Sequence, residues 1–154
     1  MRGFFHTVFA IMTDKRPMND NITIQFIDHA PTDEIAELYY EAQWLSPDDD
    51  TSFIPQMIRG SFCFAVALLD NKIIGMGRAL SDGCSDAYIQ DVVVSKKHRG
   101  KGIGHQLVTS LSTYLEESGV DWIGLIARPA TDNFYKALGF STMEEFTPMK
   151  YTNG

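Results

Sequence analysis

The sequence predicts an α/β (α+β) fold with a mixed central sheet, about six strands and four helices. Three observations lead there. Strand-like segments crowd the first half of the chain around a hairpin turn at Asp70-Asn71. An apolar, β-branched run, Val92 to Val94, then passes through a basic, glycine-rich turn into an amphipathic helical stretch. A second strand and helix follow it, which makes a βαβα unit after the grouped strands.

Taken in order, Ile22 to Ile27 sets Ile22, Ile24 and Phe26 against Thr23 and Gln25, the alternation of a half-buried strand. Pro31-Thr-Asp-Glu opens a helix with acids in its first turn, running to about Gln43 with Ile35, Leu38 and Tyr39 as its buried stripe. Ser46 to Asp50 is a loop. Phe53, Ile54, Met57 and Ile58 mark a short helix ending near Gly60. Ser61 to Leu69 and Lys72 to Leu80 are the two arms of the hairpin, and Ser81-Asp-Gly83 turns the chain into Ala87 to Val94. Ile103, Leu107, Leu111 and Leu115 recur every four residues, with Gln106, Thr109, Ser112 and Thr113 on the other face. Gly119 ends that helix. Asp121 to Ala127 reads as a strand, a helix carries Phe134-Tyr135, and Phe146 to Tyr151 closes as a last strand.

At 154 residues, with 44% hydrophobic and 21% charged residues, the chain suits one soluble domain, expected over residues 18–154. Residues 1–17 hold an apolar cluster (Phe4, Phe5, Val8, Phe9, Ile11, Met12) broken by His6 and Thr7, and read as a leader or extension outside the fold. No run approaches the ~18 apolar residues of a membrane span, so no membrane partner is expected. Cys63 and Cys84 fit neither a zinc motif nor a disulfide framework, which suits a reducing cytoplasm. The four histidines are scattered, and no metal is expected.

Chemistry concentrates between Asp91 and Val108. Gly100, Gly102 and Gly104 let the backbone approach a ligand and leave amide N–H groups uncovered. A helix starting there adds unpaired donors and about half a positive charge of dipole. Lys96, Lys97, Arg99 and Lys101 surround the turn, and no Asp or Glu occurs from Val92 to Tyr114. This is a polyphosphate site. The Rossmann fingerprint fails because His105 holds its sixth position, and the P-loop fails because Ser95 stands where its first glycine belongs. Nucleic acid is not expected, since the formal net charge is -7 and the basic cluster is confined to this turn.

Arg99, Gly102 and Gly104 form an Arg-x-x-Gly-x-Gly pattern that resembles the coenzyme A diphosphate loop of the GCN5-related N-acetyltransferase (GNAT) superfamily. Asn133-Phe-Tyr-Lys-Ala-Leu-Gly-Phe140 resembles the family's second signature, in the expected order, and the likeness covers roughly Ile22 to Tyr151. The resemblance implies a mixed, mostly antiparallel sheet of about six to seven strands and four helices, with two central strands splayed to admit pantetheine. It implies transfer of an acetyl group from acetyl-CoA to a primary amine of a small molecule or peptide. Backbone amides of Val92 and Val94 would pair with pantetheine, and the amides of Gly100, Lys101, Gly102, Ile103 and Gly104 with the Arg99 side chain would hold the diphosphate. Asn133, at the head of the second signature, joins these contacts.

Tyr135 matches the family position whose phenol hydrogen-bonds the departing sulfur; its alternative is an aromatic packed beside Phe134. The base is open. Relatives often place a glutamate on the strand before the loop, where this chain has Tyr88, Gln90 and Asp91. Strict alternation puts Gln90 and Tyr88 on one face and Asp91 on the other, unless a bulge intervenes. Asp91, the sole carboxylate in Ala87 to Val94, is either the base or a structural acceptor, with a water chain past Gln90 or Tyr88 as the fallback. Arg128 stands where relatives often carry an asparagine, so that pantetheine contact does not carry over. Nine acids between Asp20 and Asp50, with no Lys or Arg between Pro17 and Ile58, point to an acceptor that is cationic when free. A non-catalytic coenzyme A-binding or sensing module is the alternative, and a homodimer is the oligomer that family likeness suggests.

Overall fold

A computed structural model describes residues 21–152, and the expected leader, residues 1–17, lies outside them. In chain order the elements are β1 (Ile22–Phe26), α1 (Thr32–Glu41), α2 (Ile54–Gly60), β2 (Cys63–Leu69), β3 (Lys72–Ser81), β4 (Asp86–Val94), α3 (Ile103–Glu117), β5 (Trp122–Gly124) and α4 (Asp132–Lys136). The strands form one sheet in the order β1-β2-β3-β4-β5. Pairing is antiparallel throughout except for the parallel pair β4–β5. The fold is therefore the mixed, mostly antiparallel α+β sheet that the sequence predicts, with five strands among the described residues.

Local chemistry explains the connections. Asp70 and Asn71 both take positive φ, 50° and 63°, the pair of left-handed residues that a tight hairpin turn needs. At the end of α3, Val120 donates to Leu115 O and Gly119 to Glu116 O, with Gly119 at φ 94°. This left-handed glycine stop is where the sequence places it.

The core has two halves, one on each face of the sheet. On one face α3 lays Ile103, Leu107, Val108, Leu111 and Leu115 on Ala65, Ala67, Ala79, Ala87 and Ile89. Small residues on the sheet let the large ones on the helix come close. A Cβ at Gly77 would stand 2.9 Å from Leu111 Cδ1 and 3.3 Å from Val92 Cγ2, so only glycine fits there without a shift. On the other face, Ile35, Leu38 and Tyr39 of α1 and Ile54 and Ile58 of α2 pack on Phe64, Val66, Met76 and Val93.

Two strand expectations fail. β5 stops at Gly124 instead of Ala127, because its ladder with β4 ends at the Tyr88–Gly124 pair. Phe146 to Tyr151 forms no strand, and Pro148 removes one backbone donor from it.

Cys63 gives the fold an alkaline weakness. It is 6% exposed, and burial pushes its thiol from about 9 up to about 12. The unfolded chain deprotonates this thiol first, so its contribution is complete below pH 9 and is lost as pH rises toward 12. Unfolding free energy should fall by about 1.4 kcal/mol per pH unit from this group in that window. Chemical denaturation at pH 8 and pH 10 checks this, and Cys63→Ala should flatten the difference.

Candidate active site

β4 carries the feature that shapes the site. Met76 pairs with Val93 and Arg78 with Gln90, so Gly77 stands opposite two residues, Asp91 and Val92. Asp91 sits at φ 54°, a left-handed conformation that aspartate tolerates better than most residues. This is a β-bulge. It resets the alternation, so that Val92 and Val94 join Ile89 on the α3 face while Val93 faces α1 and α2. It also turns Asp91 to the side of Gln90, where unbroken alternation would have separated them.

The Asp91 carboxylate is engaged there through one oxygen. Its Oδ2 accepts from Arg78 Nε at 2.5 Å and from the Tyr39 hydroxyl at 2.7 Å. Arg78 Nη2 also reaches Gln90 Oε1 at 3.3 Å. The Arg78–Asp91 pair is half-buried, and burial followed by the Asp91 charge pushes the Tyr39 phenol well above the usual tyrosine range. Such a carboxylate, accepting from a β3 arginine and an α1 tyrosine at once, holds the bulged backbone in place.

Past the Tyr88–Gly124 pair, β4 pairs among the described residues with β3 alone, and its other edge opens on a cleft of about 580 Å³. Val92, Val93 and Val94 line one wall of it, and Ala130, Thr131, Phe134, Tyr135 and Ala137 the opposite wall. Arg99, Gly100, Gly102, Ile103 and Gly104 close one end, together with His98 and His105. The volume lies in the ordinary range of small-molecule sites, ~300–1,000 Å³.

That closed end is built for anions. Gly100 and Gly102 take φ 75° and 79°, and Gly102 is the first flanking residue of α3 with no side chain capping it. The first intrahelical bond runs from Gln106 N–H to Gly102 O, so the amides of Ile103, Gly104 and His105 precede it. A 15-residue helix adds its dipole at the same point. Arg99 Nε donates to Val94 O at 2.8 Å, which ties the loop back to the strand.

Tyr135 enters from α4. Its ring packs edge-on against Phe134 at 4.9 Å and Phe140 at 6.0 Å. Burial raises its pKa, so the phenol keeps its proton through neutral pH. The packing and the polar tip are compatible, as is usual for tyrosine.

Eight of the expected site residues thus share one cleft: Val92, Val94, Arg99, Gly100, Gly102, Ile103, Gly104 and Tyr135. Lys101 is exposed beside the loop, and Asn133 is exposed on α4 outside the cleft lining. Asp91 and Gln90 lie at the bulge, joined through Arg78. Sequence reading missed Arg78, whose role needs the hairpin register, and the two cleft histidines, His98 and His105, which flank the loop motif on either side. Arg128 has an unforeseen partner: its guanidinium lies over the Trp44 ring at 5.4 Å, and Nη2 donates to Ala42 O at 3.4 Å. It therefore joins the stretch before α4 to the end of α1. A second cleft of about 350 Å³ opens beside the bulge, lined by Phe53, Gln56, Met57, Gly60 and Arg78. Among the described residues no cluster of His, Cys, Asp and Glu has the makings of a metal site, and no helix is long and apolar enough to cross a membrane.

The chain is similar to known proteins in sequence and in fold. An uncharacterized N-acetyltransferase, ycf52, of Gracilaria tenuistipitata var. liui is 40% identical over 70 residues, 46% of this chain and 38% of that protein. GCN5-related N-acetyltransferase 2, chloroplastic, of Arabidopsis thaliana is 38% identical over 76 residues, 49% of this chain and 30% of its own length. The chain thus spans less than half the length of these curated relatives. A GNAT-family acetyltransferase of Streptococcus pneumoniae superposes with a TM-score of 0.71 at 23% identity, over 86% of this chain and 98% of that one, a likeness of fold. The sequence profile of the acetyltransferase (GNAT) family matches residues 30–140, most of the described chain and both walls of the cleft, and the chain belongs to that family.

Proposed function

We propose that residues 18–154 act as one domain that transfers an acetyl group from acetyl-CoA to a primary amine. The observation that carries this reading is the convergence, in one cleft, of an uncapped helix start, an open strand edge and the Tyr135 phenol. The residues present fit acetyl-CoA. Amides from Gly100 to Gly104, with Arg99, would hold its diphosphate, and the edge of Val92 and Val94 would take the pantetheine amides. Lys101 adds positive charge at the rim, and Asn133 stands at the outer end of α4. Acetyl-CoA supplies the activated acyl thioester. Tyr135, protonated at neutral pH, donates to the sulfur as it leaves.

The ion pair with Arg78 supports an anchoring role for Asp91, which fixes the bulge and hence the strand edge beside it. Loss of the amine proton then falls to water moving past Gln90 and Tyr88, both exposed at this face. Asp91→Asn should cost about 1–3 kcal/mol of stability, because Arg78 and Tyr39 lose a charged acceptor in a half-buried place. It should leave the shape of the pH–rate profile unchanged. A profile that loses its rise with pH would return the base to Asp91.

The acceptor in this reading is cationic when free and approaches past α1, α2 and the second cleft. Glu34 accepts from Ile73 N–H at 2.8 Å and Glu41 from Lys96 N–H at 2.6 Å, while Asp49 and Asp50 cap turns in the following loop. Together these acids give this wall a negative field. Phe53 and Met57 supply an apolar floor. The test compares kcat/KM across amines. Polyamines, aminoglycosides, lysine-bearing peptides and aryl-alkylamines should outcompete amino sugar phosphates and acidic amino acids, and salt should raise the KM of the amine. An anionic amine as the best acceptor would overturn the charge argument and bring Arg78 forward as its anchor. We place the protein in the cytoplasm, where two cysteines without a disulfide partner are stable; the Arabidopsis relative is named chloroplastic, and a plastid stroma is reducing as well.

A further inference from the structure

Contacts on two faces hold α4, the helix that carries Tyr135. On the α3 face, Tyr135, Leu138 and Phe140 pack against the core that α3 shares with the sheet. On the α1 face the tie is Arg128, a few residues before the helix. Its guanidinium lies over the Trp44 ring at 5.4 Å, within reach of a cation–π contact, and donates to Ala42 O at 3.4 Å. Both partners lie at the end of α1. Gln43 at φ 60° turns the chain there, and Trp44 N–H donates back to Tyr39 O at 3.0 Å.

These contacts are links in one path between the two walls of the cleft. From Arg128 the path follows the backbone. Its carbonyl accepts from Thr131 N–H at 3.1 Å and from Thr131 Oγ1 at 2.8 Å. Thr131 O in turn accepts from Phe134 N–H at 3.1 Å and Tyr135 N–H at 3.4 Å. From Trp44 the path follows side chains. The indole meets the Tyr39 ring edge-on at 5.3 Å, and the Tyr39 hydroxyl donates to Asp91 Oδ2 at 2.7 Å. Asp91 forms the bulge, next to Val92 of the strand edge.

We propose, on the acetyl-transfer reading above, that Arg128 is a positioning residue. Clamped on Trp44, it fixes α4 relative to the bulged edge of β4, and so sets where the Tyr135 hydroxyl meets the departing sulfur. A guanidinium suits the place, because it stacks on an aromatic face and still has donors for a carbonyl. Misplacing a reacting group by about 1 Å can cost on the order of a hundredfold in rate. Arg128 is exposed, so the tie matters more to turnover than to folding.

The test is amine-dependent release of coenzyme A thiol by the full-length chain and its variants. Arg128→Leu should lower kcat about tenfold, leave the KM for acetyl-CoA within about twofold and hardly move the melting temperature. Trp44→Leu should give the same split between kcat and KM. Arg128→Lys keeps a cation over the ring and should restore much of the loss. In a Tyr135→Phe background, Arg128→Leu should cost less than about twofold, since a hydroxyl that is gone cannot be misplaced. Wild-type kcat in Arg128→Leu, an equal loss with and without the Tyr135 hydroxyl, or a loss confined to KM overturns the proposal and leaves the acetyl-transfer reading standing. A wild-type chain that releases no thiol with any amine overturns both.

Discussion

Valine in place of Gly102 is expected to abolish the rise in melting temperature that acetyl-CoA gives the wild-type protein. At ~100 times its dissociation constant a ligand adds about 2.7 kcal/mol, which for a chain of this size is a shift of roughly 5–10 °C. Gly102 sits at φ 79° where α3 begins and where the cleft closes. A Cβ there meets no protein atom within 4 Å, so the variant folds, but the new bulk stands in front of the amides that face the ligand. The left-handed backbone costs a side chain roughly 1–2 kcal/mol, so the unliganded protein should melt a few degrees lower. Thermal unfolding with and without acetyl-CoA separates the two effects. A full ligand shift in the variant would take the diphosphate away from these amides.

Tyr135→Phe should lower turnover about ten- to a hundredfold, which is about 1.4–2.7 kcal/mol of transition-state stabilisation. The ring contacts with Phe134 and Phe140 survive the change, so stability and the KM for acetyl-CoA should hardly move. Only the hydroxyl is lost, and with it one hydrogen bond to a developing thiolate. Unchanged turnover with intact acetyl-CoA binding would make Tyr135 a packing residue and no more.

Those two residues were legible in the sequence because each belongs to a short, contiguous motif. Glycines within a basic turn, or an aromatic pair ahead of Gly-Phe, bring their chemistry within a few residues of each other. Long-range partners were hidden for the opposite reason. Arg78 reaches Asp91 only through the register of β3 on β4, and Tyr39 reaches it from a helix 52 positions away. The bulge itself follows from one left-handed aspartate in a run that otherwise reads as plain strand. Helices and the hairpin were readable from periodicity and turn chemistry, since each buries its own stripe. Strand ends were not, because a strand lasts only as long as its neighbour: β5 stops where β4 leaves it.

The most direct measurement is release of free coenzyme A thiol over time, from acetyl-CoA alone and with a panel of primary amines. The account predicts release that depends on the amine, saturates with both substrates and falls sharply in Tyr135→Phe. Acetyl-CoA that binds and shifts the melting temperature, yet yields no thiol above the amine-free rate with any acceptor, would contradict it. The cleft would then belong to a protein that holds coenzyme A without turning it over.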